Sequence, residues 1–300
     1  MPIDIVLPRL NSYYIFIKMA HLCSEFVQKC QNSECGLDMK ISFIKKIKEN
    51  SIEVLSLIIA VTIWQVVADR IVQKKFFLPS FFDVVTSFFV IVKSGLVFTD
   101  ILTSLLHFSI GIVAALIIGI PLGISMGWFK QVDRAFDPII EILRPIPPLA
   151  WIPFAIVWFG LTHQAAGFVV FVGMIFPIVI NTYTGFKNIS KVYVEAARVL
   201  GCTRSIDLIR FIAIPSAMPS IAAGIRIAMG VGWMCLVAAE MFGASSRGLG
   251  FQLWHNYYLQ RMDFVLVYML LLGFLGLFID RLFRYYVDAK LLKWTAGTVV

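Results

Sequence analysis

The chain has 300 residues, of which 59% are hydrophobic and only 15% charged, and it carries a formal net charge of +8. That balance excludes a soluble globular domain, which needs far more polar surface to face water on every side, and places the chain in a bilayer. The positive charge requires no nucleic acid, because basic loops facing an anionic inner leaflet account for it.

Residues 1–50 differ in character from the rest and read as a cytoplasmic N-terminal extension. The stretch YYIFIKMAHL is too short to span and lacks the small-residue cleavage site of a signal peptide. Met39 is an alternative start, since MKISFIKKIKEN after it is basic and amphipathic and suits the inner membrane face. An intact mass matching residues 1–300 would rule that start out. Cys23, Cys30, Cys35 and His21 contain no CxxC pair and are expected to be reduced thiols rather than a zinc site. Cys202 and Cys235 are expected to behave as small hydrophobes, and no metal or disulfide framework is implied.

Crossing about 30 Å of hydrocarbon takes roughly 20 helical residues. The weakly charged or uncharged runs near that length are 52–68, 101–129, 145–186, 211–239 and 264–279. The third is about twice as long as one span needs and has FGLTHQAAG near its middle, which predicts two helices and a tight turn. The expected fold is therefore an all-α membrane protein with six transmembrane helices over 51–294, followed by a tail at 295–300. With the N-terminus inside, segments 1–51, 130–144, 187–210 and 281–300 hold about 19 of the 26 basic residues. Both termini and the loop 187–215 are thus expected on the cytoplasmic side of the cell membrane.

Chemistry-bearing residues are few. GASSRGLG has Gly243 and Gly248 at phosphate-loop spacing, but Leu249 and Gly250 stand where Lys and Ser or Thr are required, and no strand precedes it. It reads as a flexible turn, and the chain is not expected to be an enzyme or to need a cofactor. His107 and His163 lie in or beside spans with no carboxylate nearby in sequence, and a histidine inside a span is a functional candidate. Arg226, some turns into the fifth span, costs at least about 2.5 kcal/mol against lipid and must snorkel or face a water-filled pathway. Gly111, Gly119, Gly123 and Gly127, with Pro121, Pro147, Pro148, Pro153 and Pro177, suit a closely packed bundle bent around a cavity.

The most charged feature between two apolar regions is EAARVLGCTRSIDLIRFIAIP at 195–215. Gly201 interrupts a helix begun by SKVYVEAARVL, Pro215 and Pro219 mark the return to the membrane, and Ala196 and Ala197 offer a small-residue face. This stretch resembles the signature loop of the permease subunits of binding-protein-dependent ABC importers. Glu195, Ala196, Ala197, Gly201, Ile212 and Pro215 fall on its motif. Two departures are Ile214 in place of Leu and a Gly-to-Pro interval one residue longer. LRPIPPLAWIPFAIVWFG at 143–160 and GIRIAMGVGWMCLVAAEMFGASSRGLG are similar to the aliphatic sulfonate, taurine, nitrate and bicarbonate branch of that family. The likeness covers roughly residues 55–294, and His107 sits where the branch commonly has Arg.

The resemblance implies a type I ABC importer permease fold and an anionic solute. It implies two cytosolic ATPase subunits docked on Glu195 to Arg204, a second permease copy and an extracytoplasmic solute-binding protein. Arg226, His107, Pro153 and Trp233 are the candidate pathway residues. A secondary transporter or channel is the alternative reading, and it predicts an acidic residue deep in a span. None is expected there, since Glu240 falls at the outer boundary of the fifth run. A membrane enzyme would need clustered catalytic residues at one membrane face, and the sequence offers none.

Overall fold

The computed structural model describes residues 55–286 other than 57 and 75. The N-terminal extension, with Met39 and Cys23, Cys30 and Cys35, and the tail 295–300 lie outside the described residues. The chain divides into two units at Val67. In the first, residues 58–66 are helical and expose Ile58, Ile59 and Ile63, as a helix meant for an apolar solvent would.

The second unit is helical throughout its regular structure, with no strand among the described residues. Its helices are α1 (Phe81–Ser94), α2 (Leu96–Trp128), α3 (Lys130–Leu143), α4 (Ile152–Phe159) and α5 (His163–Lys187). They continue as α6 (Lys191–Val199), α7 (Ile214–Met241), α8 (Leu249–Tyr258) and α9 (Met262–Tyr286). Helix α1 starts on a capping box in which the Asp83 amide donates to Ser80 Oγ at 3.2 Å and the Ser80 amide donates to Asp83 Oδ2 at 3.4 Å. It stops at Gly95, whose φ of 74° lets the chain turn straight into α2.

The core is built by two glycine-lined contacts on neighbouring flanks of α5. On one flank, Gly111, Gly119, Gly123 and Gly127 of α2 meet Val170, Ile178, Thr182 and Phe186, with the same sequence offset in every pair. A constant offset means that the two helices run parallel. A Cβ at Gly123 would lie 2.6 Å from Thr182 Cβ and 2.8 Å from the Val179 carbonyl, so the backbones touch. On the other flank, Gly173 faces Cys235, Gly232 faces Met174, Gly224 faces Asn181 and Gly185 faces Ser220, an order that runs antiparallel. Met174, Ile178 and Val170 are consequently sealed between Phe108 and Ala115 of α2 and Ala228 and Leu236 of α7.

Four stretches are long and apolar enough to cross a membrane: Leu96–Trp128, His163–Lys187, Ser205–Met241 and Met262–Tyr286. A fifth results if Lys130–Leu143 and Pro148–Phe159, bent by 90°, form one span. The two-helix reading of 145–186 holds, with the chain turning at residues 160–162 between α4 and α5. Its first helix departs from a simple span. Pro147 and Pro148 supply no amide hydrogens, and Pro147, which precedes Pro148, leaves the α region at φ −59° and ψ 133°, so a short 3-10 turn, Pro148–Trp151, replaces a long helix. The piece Pro148–Phe159 then reaches roughly 20 Å, short of the hydrocarbon thickness.

Gly123→Val is expected to lower the unfolding free energy by about 1–3 kcal/mol through overpacking against α5. Gly230→Ala, where an added Cβ meets nothing within 4 Å, is expected to be neutral or stabilising. Thermal unfolding of the purified protein in detergent measures both, and equal effects would refute the close-contact account.

Candidate functional site

The segment joining α5 to α7 is built from local backbone rules. Helix α6 carries Glu195, Ala196 and Ala197, with Ala197 buried and the other two exposed. The Gly201 amide donates to the Arg198 carbonyl at 3.0 Å and the Cys202 amide to the Ala197 carbonyl at 3.0 Å. This is the Schellman pattern, and it demands a left-handed residue at Gly201, where φ is 97°. Arg204 then caps one turn, Ser205–Leu208, which runs through a π turn, Ile209–Ala213, into α7 without a break. Ile212 lies in the π turn, and Pro215 lies in the first turn of α7 that follows it.

Val199 and Leu200, at the tip of α6, are 88% and 87% exposed. The base of the segment is firmly held, because Ala213, Ala217 and Ile221 pack on Phe186. The result is an apolar knob on a rigid mount, placed where α2 and α5 end and α7 begins.

The opposite end of the bundle holds a polar network that connects four elements. His107 Nδ1 lies 2.8 Å from Glu240 Oε1, and both side chains are fully buried. Ser104 Oγ donates to the Glu240 carboxylate at 2.8 Å and accepts the Leu249 amide at 2.9 Å. The Gly250 amide donates to Glu240 Oε2 at 2.8 Å. Glu240 thereby ties α2 and the first turn of α8 to α7. Gly248 and Gly250 leave the space this requires, since a Cβ at Gly248 would lie 2.4 Å from the carboxylate. His107 Nε2 lies 2.8 Å from Nδ1 of His163, an exposed residue that begins α5. With its oxygens taken by these donors, Glu240 serves as an anchor, and no cluster suited to a metal occurs among the described residues.

The four expected pathway residues do not converge. His107 belongs to this buried network. Pro153 is exposed in the first turn of α4. Trp233 donates from Nε1 to the Leu272 carbonyl at 3.2 Å and meets Phe108 edge-on, lining a cavity of about 420 Å³ with Asp280. Arg226 pairs with Asp280 of that cavity's wall, its Nε 3.7 Å from Asp280 Oδ1, with both side chains about half exposed. Asp280 falls one residue beyond the apolar run 264–279, which hid the counter-ion of Arg226 from a search for uncharged segments. The Glu240 contacts lay equally out of sight, because Ser104 and His107 are separated from it by more than a hundred residues.

This arrangement defines a helical membrane protein. Residues 115–291 match the family described as the binding-protein-dependent transport system inner membrane component, and the chain belongs to that family. A provisionally named ABC transporter permease protein of Methanocaldococcus jannaschii is 38% identical over 88% of this chain and 97% of its own length. The taurine transport system permease protein of Escherichia coli is 33% identical over 68% of this chain and 75% of its own. A bicarbonate transport system permease protein of Synechococcus elongatus and a nitrate import permease protein of a Synechocystis species are each 37% identical, over 61% of this chain and 66% of their own. Among solved structures, a chain from an inward-facing MetNI methionine ABC transporter is 25% identical with a TM-score of 0.51, covering 63% of this chain and 95% of its own. The protein is accordingly a multi-pass membrane permease subunit and not an enzyme.

Glu240→Ala is expected to lower stability by about 3–5 kcal/mol, because it strands His107, the Ser104 hydroxyl and the buried Gly250 amide without an acceptor. Arg226→Gln, at a half-exposed pair, is expected to cost under about 1 kcal/mol. Melting curves of the two variants in detergent check the contrast, and similar melting points would contradict the anchor.

Proposed function

We propose that the chain is the membrane-spanning subunit of an ATP-driven ABC importer for a small anion of the taurine or sulfonate, nitrate or bicarbonate type. Two copies line one pathway, a binding protein delivers the solute from outside, and two cytosolic ATPase subunits dock on the segment 187–215. The chain crosses six times with both termini in the cytoplasm, the residues before Val67 and the bent pair around Arg144 supplying the first and third crossings. The relatives named for taurine, bicarbonate and nitrate support the solute class.

The observation that carries the coupling role is the mounted knob. Helix α6 and its exposed Val199 and Leu200 give an ATPase groove an apolar target, and exposed apolar surface of this kind marks an interaction site. Closure of the ATPase dimer on ATP displaces α6, and the unbroken rod Ser205–Met241 passes the displacement to the bundle. The two copies then rock between inward-open and outward-open states. The π turn bears on the longer interval between Gly201 and Pro215. A turn with i→i+5 bonds lodges one extra residue, so the faces on either side keep their phase.

Gly201→Asp is expected to leave the protein in the membrane and to abolish uptake. A non-glycine residue in the left-handed conformation strains the Schellman turn and tilts the knob. Uptake of labelled solute by cells carrying the variant tests this, with membrane amount measured by blot. Wild-type uptake, or failure of an ATPase subunit to co-purify with the native chain, would count against the proposal.

A further inference from the structure

We infer that Arg144 and Asn181 form an anion-binding station between the third, fourth and fifth membrane segments, with a small oxyanion as ligand; this rests on the permease reading above. Arg144 follows α3, where the chain folds back through Pro145, Pro147 and Pro148 toward α4. It borders two cavities. The larger, about 670 Å³, also has Asp137 and Glu141 on its wall. The smaller, about 330 Å³, has Asn181 as its only other polar side chain and is otherwise apolar, with Val172, Phe176, Ile227 and Val231 among its walls.

Charge pairing separates Arg144 from the other arginine considered for the pathway. Arg226 has Asp280 as counter-ion, whereas the Arg144 guanidinium has no carboxylate within ion-pair distance among the described residues, although two acids share its larger cavity. A guanidinium stays protonated at every accessible pH and presents donors in a planar fork that matches an oxyanion. The smaller cavity contains no carboxylate to compete for it.

Asn181 is fixed for the complementary task. Its Nδ2 donates to the Pro177 carbonyl at 2.8 Å, which leaves the second amide hydrogen free to donate to an anion. Room for the side chain comes from Gly224, where a Cβ would stand 2.5 Å from Asn181 Cβ. Apolar walls around one cation and one amide suit an oxyanion with or without a short alkyl tail, and Asp137 and Glu141 repel it from the far side of Arg144.

The test uses the full chain in lipid nanodiscs and saturation-transfer NMR with ethanesulfonate or formate as the probe, ethylammonium serving as the cationic control. Both anions are expected to bind wild type and Arg144→Lys, with binding weakened at least about tenfold by Arg144→Gln and by Asn181→Asp. Binding of ethanesulfonate alone assigns the apolar walls to an alkyl tail and upholds the site. No anion signal with wild type, or equal signals with Arg144→Gln, overturns it. A second arm measures uptake and ATP hydrolysis by the chain reconstituted with its ATPase and binding protein. Arg144→Gln is expected to cut uptake at least about tenfold while hydrolysis stays within about twofold. A parallel fall in both would mean that Arg144 supports assembly, which also overturns the site. Failure of the native chain to assemble with any ATPase would refute the importer reading, and the NMR result would still decide the anion site.

Discussion

Backbone contact between α2 and α5 is the constraint on which the rest of the structure depends. Lipid tails are as apolar as leucine, so helices in a bilayer gain little from hydrophobic burial and associate through close packing instead. The glycines of α2 bring its backbone against the side chains of α5, and the glycines spread over α5 and α7 do the same on the other flank. Helix α5 becomes the shared wall of the bundle. Several features of functional interest lie along it or at its ends: His163 at its start, Asn181 and Pro177 along it, and α6 just beyond its finish.

The two ends of the bundle are built on different principles. At the Glu240 end, a buried carboxylate is surrounded by donors from α2 and α8, so these elements are locked in position by directional bonds. At the α6 end, apolar packing around Phe186 fixes the base of the segment while its tip stays exposed. One end is held by polar bonds made within the chain, and the other presents surface for bonds yet to be made. That asymmetry fits a lever whose fulcrum and handle lie far apart.

Much of this was legible in the sequence, for physical reasons that also mark where legibility stops. Composition and run length found α2, α5, α7 and α9, because a bilayer imposes both on any helix that crosses it. The turn between α4 and α5 and the break at Gly201 were readable from glycine and its neighbours, since their conformations are local. The 90° bend before α4 was only hinted at by prolines, as an uncharged run reports apolarity and says nothing of direction. Short helices such as α1 and α8 are too brief for a span search to detect. Pairings such as His107 with Glu240 depend on which helix faces which, and Arg226 with Asp280 joins residues on opposite sides of a boundary drawn by charge alone.

The π turn at Ile209–Ala213 has a bearing on how such chains diverge. Inserting a residue into an ordinary α-helix rotates everything beyond it by about 100° and would swing α6 to a different side of the rod. A wide turn stores the addition as a local bulge, and the helix on either side is unaware of it. A residue gained or lost between Gly201 and Pro215 would therefore leave α6 on the same side of the rod. The bulge acts as an expansion joint that lets the segment change in length without turning α6 relative to the helix it is mounted on.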